Sequence, residues 1–287
     1  MSATGTSLSR SRSSGQSRST WLDLYLGLSQ APHSTKPCVV KPMCIDVDDE
    51  PGGGVPGFLH LPPTASLAPT LNTAAILLSG AGGGIAGPSS IYLSLADKLA
   101  TLKHPVPTLR LDYRYPARNK YCVNDVLSAM DELESSYEIK RFVLVGWSFG
   151  GAPVLTVGGS DDRVAGCVTV ACQTAETEGI RSLSPKPLLL LHGTGDRTLS
   201  HSCSESLYAR YGEDGDRQIH LFPDDDHALT RSSLEAEQLI GSFILKCAGI
   251  KADHGDNRAL AEKLIGDDEK VRLMVRGGDL RRNESAE

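Results

Sequence analysis

The chain has 287 residues, 40% of them hydrophobic and 22% charged, with a formal net charge of −6. That size and mix suit one domain with a sizeable buried core plus tails, and they exclude a fibre or a wholly unstructured chain. An acidic balance without a Lys/Arg stripe among aromatics excludes nucleic acid as a partner. The longest apolar runs are strand-length, far short of the roughly 20 residues that span a bilayer, so no membrane span is expected.

Residues 1–20 hold eight serines and three arginines and no acid, a composition that cannot bury enough apolar surface to order itself. A disordered segment is therefore expected over residues 1–35, a catalytic-size domain over 36–249 and a charged helix or tail over 250–287. The seven cysteines are an odd set with no CxxC pair, which predicts free thiols in a reducing compartment. The expected address is cytoplasmic; the acid-poor Ser/Arg-rich start keeps a mitochondrial presequence as the alternative.

In chain order, the pattern predicts strands over 39–47, 55–61 and 74–79, opening as a meander with a turn at Gly52-Gly53-Gly54. Helical spacing then runs over 88–103, followed by a strand over 106–112, a helix over 123–137 and a strand over 141–146. A helix over 149–157 and strands over 164–171 and 187–192 come next, then a helix over 200–211, a strand over 218–222 and a helix over 230–248. Alternating α and β segments with continuous apolar strands force parallel pairing between helical layers. The predicted architecture is an α/β three-layer αβα sandwich around a mostly parallel eight-stranded sheet.

The sharpest motif is Gly146-Trp147-Ser148-Phe149-Gly150, between a predicted strand and a predicted helix. So tight a strand-to-helix turn needs small residues two before and two after its centre, and it projects the serine hydroxyl from a strained backbone. Serine is a weak nucleophile and requires a base, which requires an orienting carboxylate. Two later predicted strands end in His192-Gly193-Thr194-Gly195-Asp196 and in Pro223-Asp224-Asp225-Asp226-His227, giving Ser148, Asp196 and His227 in the order expected of such a site. Asp225 and Asp226 are alternative orienters, strained by their adjacency to His227 and expected to act electrostatically. His192, His201 and His220 read as structural or surface groups.

A developing oxyanion needs donors. The N–H of Phe149 supplies one, and the loop Ser79-Gly80-Ala81-Gly82-Gly83-Gly84 supplies the other, Ala81 first and Gly82 next. The same loop carries a competing pattern: Gly82 to Gly87 fits G-x-G-x-x-G, and Asp112 ends the next strand, as a dinucleotide fingerprint asks. No His, Cys or carboxylate cluster has metal-ligand spacing in the sequence, and the chemistry requires no cofactor.

At these residues the chain resembles the α/β-hydrolase superfamily over residues 38–248. The stretches Leu78 to Ile85, Leu109 to Arg114 and Gly146 to Gly151 look like its compact, dienelactone-hydrolase-like and serine-aminopeptidase-like members. The dienelactone hydrolases proper use a cysteine where this chain has Ser148. The resemblance implies a catalytic trio of Ser148, Asp196 and His227 and an oxyanion hole at Phe149, Ala81 and Gly82. It also implies that a cap would be inserted between 171 and 187, where only a short segment lies. The expected function is a lidless serine hydrolase acting on a carboxylic ester or thioester of a small acyl substrate. A non-catalytic partner protein on the same scaffold and a dinucleotide-binding protein are the alternatives.

Overall fold

The computed structural model describes residues 25–63, 72–212 and 214–281. The expectation for residues 1–24 lies outside them. Eight strands form one sheet: β1 (Val39–Asp46), β2 (Gly54–Leu61), β3 (Thr73–Leu78), β4 (Thr108–Leu111), β5 (Arg141–Trp147), β6 (Val164–Val170), β7 (Leu188–Gly193) and β8 (Arg217–Phe222). Their spatial order is β1-β2-β4-β3-β5-β6-β7-β8. The pairs β1/β2 and β2/β4 are antiparallel and the rest parallel, so the meander stops after two strands and β2 lies beside β4 rather than β3.

The helices are α1 (Ile91–Ala100), α2 (Asn119–Tyr137), α3 (Gly151–Ser160), α4 (Ser202–Arg210), α5 (Ser233–Cys247), α6 (His254–Leu260) and α7 (Lys270–Gly277). Because strand side chains alternate faces, Ala74, Ile76 and Leu78 of β3 pack with Val126 and Leu133 of α2 and Val154 of α3. Ala75 and Leu77 pack on the opposite face with Leu95 of α1 and Ile240 of α5. The two apolar clusters are the two interfaces of the sandwich. Phe142, fully buried in the first, is a position where truncation to Ala costs about 3–5 kcal/mol.

Neither expected boundary separates a tail from the domain. Tyr25, Leu28 and Ala31 are buried with Phe58, Leu93, Leu264 and Leu273, so residues 25–31 are already part of the core. At the other end, Leu260 and Met274 join the α1/α5 face. The apolar spacing of the C-terminal region covers the domain edge with two short helices. The first, α6, starts in a capping box between Asp253 and Asp256.

This topology fixes where a site can form. β3 leads through α1 to β4 on one side, and the chain then crosses to β5 on the other side of β3. The strand order reverses between β3 and β5, and such a switch point leaves a crevice at the strand C-termini. The glycine loop after β3 and Ser148 after β5 flank that crevice.

Candidate active site

Ser148 begins a tight turn, Ser148–Gly150, between β5 and α3, with φ +54° in the left-handed region. A non-glycine residue there is strained, and the strain persists because its surroundings leave no room to relax. A Cβ on Gly146 would collide with the carbonyl of Gly150, and one on Gly150 would meet the carbonyls of Ser79 and of Leu78, the latter at 2.8 Å. Both glycines are therefore demanded by close backbone approach. Ser148 retains 8% exposure.

Asp196 lies beyond β7 and His227 beyond β8. Nδ1 of His227 is 2.7 Å from Asp196 Oδ2. The other carboxylate oxygen accepts the N–H groups of Thr198 (2.7 Å) and Leu199 (2.9 Å). Burial raises the Asp196 pKa, but hydrogen bonds from His192 and His227 outweigh it and hold the carboxyl well below the usual range. The ionised form fixes the proton of His227 on Nδ1 and leaves Nε2 as the free base. Trp147, next to Ser148, donates from Nε1 to the carbonyl of His227 at 2.9 Å. Their rings lie 5.5 Å apart, which brings the histidine beside the elbow. Among the described residues Ser148 Oγ makes no hydrogen bond to His227; contacts of this kind commonly tighten only around a substrate.

His192, expected to be structural, is a second partner of Asp196. Its Nε2 faces Asp196 Oδ2 and the Leu199 carbonyl, both at 3.1 Å, and its Nδ1 faces Ser204 Oγ at 2.7 Å. Since a carbonyl only accepts, Nε2 carries the proton and Ser204 donates to Nδ1. The sequence signal for this was a histidine ending the strand that leads to the acid. Asp225 and Asp226 organise the loop instead: Asp225 accepts from Asp226, Arg231 and Ser232, and Asp226 from Ala228 and Thr230. His220 lies against Phe222 and Glu235.

The glycine loop is held from both sides. Phe149 packs edge-on against Tyr113, whose hydroxyl donates to the Ser79 carbonyl at 2.9 Å. The N–H of Gly83 goes to the Gly80 carbonyl, that of Gly84 to Asp112, that of Ile85 to the Gly277 carbonyl, and those of Ala86 and Gly87 to Asp279. The N–H groups of Ala81 and Gly82 have no partner among the described residues. Asp112, the acid of the dinucleotide pattern, is paired with Arg281 at 3.0 Å. Of the amides in the Gly82–Gly87 pattern, those of Gly84, Ala86 and Gly87 are thus occupied by carboxylates of this chain and those of Gly83 and Ile85 by its carbonyls.

One cluster absent from the sequence reading is Cys38, His60 and Asp97, whose donor atoms lie within 4.8 Å of one another. Arg110 donates from Nε to His60 Nε2 at 2.9 Å, which puts the imidazole proton on Nδ1, 2.9 Å from Asp97. Burial, reinforced by Arg110, lowers the His60 pKa to about 4 and keeps the ring neutral. A protonated Nδ1 offers a cation no lone pair, so this group does not fit a metal. With Ala31 N–H on Asp97 and the Leu28 carbonyl on Arg110, it ties residues 28–31 to the sheet.

A family model described as "Alpha/beta hydrolase family" matches residues 75–239, over half of the chain. The chain belongs to the alpha/beta hydrolase family. Within the family it is 29% identical over 194 residues to the uncharacterized protein YfhR of Escherichia coli K12, covering 57% of this chain and 66% of that protein. The chain thus spans slightly less than two thirds of the curated relatives' length.

Solved alpha/beta hydrolases agree in fold. A dienelactone hydrolase from Anabaena variabilis superposes with a TM-score of 0.60 at 16% identity over 74% of this chain and 99% of that one. XC6422 from Xanthomonas campestris, an a/b serine hydrolase without lid, gives 0.56 at 14% over 74% and 97%. The esterase domain of a Rhodothermus marinus protein gives 0.58 at 17% over 72% and 98%. Like XC6422, this alpha/beta hydrolase has no cap: β6 and β7 are joined by a short segment that holds one short 3-10 helix, Glu178–Ser182. Among the described residues no helix is long and apolar enough to cross a membrane.

Proposed function

We propose that this alpha/beta hydrolase is a serine hydrolase that cleaves a carboxylic ester or thioester of a small substrate through an acyl-enzyme. The observation that carries the reading is the 2.7 Å contact between Asp196 and His227, with His227 anchored to the residue beside Ser148. Ser148 Oγ attacks the acyl carbon while His227 Nε2 takes its proton, and Asp196 stabilises the imidazolium formed. The N–H groups of Phe149 and Ala81, with Gly82 beside it, receive the negative charge on the carbonyl oxygen. Collapse of that intermediate breaks the bond to the alcohol or thiol, which leaves with the proton from His227. Water, deprotonated by the same histidine, then releases the acid and restores Ser148. The absence of a cap favours short or exposed acyl groups.

The test is a fluorophosphonate probe applied to the parent and to Ser148→Ala, followed by p-nitrophenyl esters and acyl thioesters of increasing chain length. Labelling and turnover by the parent alone, declining with acyl length, is the expected result. A folded parent that takes no label removes the reading in favour of a non-catalytic partner protein; tight NAD binding would favour the dinucleotide alternative.

A further inference from the structure

The segment from Gly277 to Arg281 lies directly on the glycine loop. Asp279 is fully buried, and its carboxylate accepts Ser79 Oγ at 2.5 Å and Gly87 N–H at 2.7 Å on one oxygen and Ala86 N–H at 2.9 Å on the other. Ser79 starts the loop and Ala86-Gly87 ends it, so one side chain closes both ends. Arg281 reaches the middle, donating to the Gly82 carbonyl at 3.4 Å and pairing with Asp112, which itself holds Gly84. The fit is close: a Cβ on Gly82 would lie 3.0 Å from the Asp279 carbonyl oxygen, and one on Gly84 would lie 2.5 Å from the Asp279 nitrogen. Gly82 and Gly84 make room for the C-terminal segment.

We propose that Asp279 is a positioning residue for acyl transfer, supplied by the C-terminal segment to lock the loop that leaves the Ala81 and Gly82 N–H groups free. The inference rests on the acyl-transfer reading above. Two observations carry it. First, all three hydrogen bonds to the Asp279 carboxylate come from the loop, one from the Ser79 hydroxyl ahead of Ala81 and Gly82 and two from the Ala86 and Gly87 N–H groups beyond them. Second, a buried carboxylate is a costly way to fill space. Burial pushes its pKa up to about 7 even against the pull of Ser79, Ala86 and Gly87. An apolar residue would pack there at less cost, but it would leave Ser79, Ala86 and Gly87 unpaired and the loop free to collapse onto other acceptors. An oxyanion donor out of place costs about 10²–10³ in kcat, so a loosened loop should show mainly in kcat.

The experiment compares full-length parent, Asp279→Asn and Asp279→Ala on the best ester found for the parent, with melting temperatures recorded for each. The Ala variant is also titrated with sodium formate, a carboxylate small enough for the vacated space. Expected are a fall in kcat of about 10- to 100-fold with KM within about threefold, and a saturable recovery of at least about fivefold by formate in Asp279→Ala only. A folded Asp279→Ala with parental kcat, or a kcat loss that formate leaves untouched, overturns the proposal. If Asp279→Ala does not fold, Asp279→Asn decides: the Asn amide turns an N–H toward a backbone donor, so parental kcat at parental stability overturns the proposal and a reduced kcat upholds it. A parent without fluorophosphonate labelling removes the acyl-transfer reading and this inference with it; a labelled parent with an unaffected variant removes this inference alone.

Discussion

The indole N–H of Trp147 donates to the backbone carbonyl of His227 across 2.9 Å, so the residue before the candidate nucleophile holds the loop of the candidate base. Trp147→Phe keeps an aromatic ring but deletes the donor. The expected result is a kcat lowered by about 3- to 30-fold and a stability loss of about 1 kcal/mol, since a half-buried carbonyl loses its partner. Steady-state kinetics and thermal melts measure both. Unchanged kcat would show that the histidine loop needs no such anchor.

His192 and Asp196 should separate in rank. Asp196→Asn removes the carboxylate that fixes the tautomer of His227 and is expected to lower kcat/KM by about 10³-fold or more. His192→Ala removes one of four donors to that carboxylate and leaves Ser204 without its acceptor, with an expected fall of only about 10-fold. A His192→Ala loss as large as that of Asp196→Asn would contradict the positioning role.

Two glycines with positive φ should respond very differently to alanine. Gly249, φ +72°, has nothing within 4 Å of a new Cβ, so only backbone strain of about 1 kcal/mol is expected. Gly84, φ +104°, would drive its Cβ to 2.5 Å from the Asp279 nitrogen and 2.6 Å from its Cα. A loss of about 3 kcal/mol or more is expected for Gly84→Ala, with faster hydrogen exchange over 277–281 as the segment is pushed off. Equal costs at the two positions would mean that the segment is not docked in solution.

The same carboxylate predicts a pH dependence of stability. The folded pKa of Asp279 is raised from 3.8 to about 7 by burial, with Asp112 adding to the rise. Between those values the folded chain binds the proton more tightly than the unfolded one, so the contribution is full below the unfolded pKa and lost as pH rises through about 7. The other groups that feel this charge are Tyr92 and Arg110. Asn does not titrate in this range. The melting temperature of the parent minus that of Asp279→Asn should therefore fall by about 4 °C or more between pH 5 and pH 8. A constant difference would place Asp279 in water.

What the sequence made legible follows from range. Strands β5 to β8 could be placed because each carries a local apolar run, and Ser148, Asp196 and His227 because each stands in a recognisable turn just beyond β5, β7 or β8. The sandwich followed from alternation alone. Long-range partners carry no such signal. Asp279 sits in a charged stretch that reads as a tail, and only the folded chain brings it to Ser79. His192 read as an ordinary strand end because its three contacts are spatial. The cluster of Cys38, His60 and Asp97 comes from a strand edge, a strand and a helix, with no spacing to betray it. The G-x-G-x-x-G pattern misled in the opposite direction: Gly82 and Gly84 accommodate a neighbouring backbone and Gly87 the ring of Tyr92.

The hydrogen bond from Ser79 to Asp279 spans 200 positions of the chain. During synthesis, Ser148, Asp196 and His227 all leave the ribosome before the residue that closes the loop opposite them. A nascent chain can thus hold its candidate catalytic trio while the glycine loop on the other side of the crevice is still unfastened. Competence would then arrive with the last turn of α7 and the residues after it, and trimming or extending that end is a handle on activity that leaves the chemistry-bearing side chains alone.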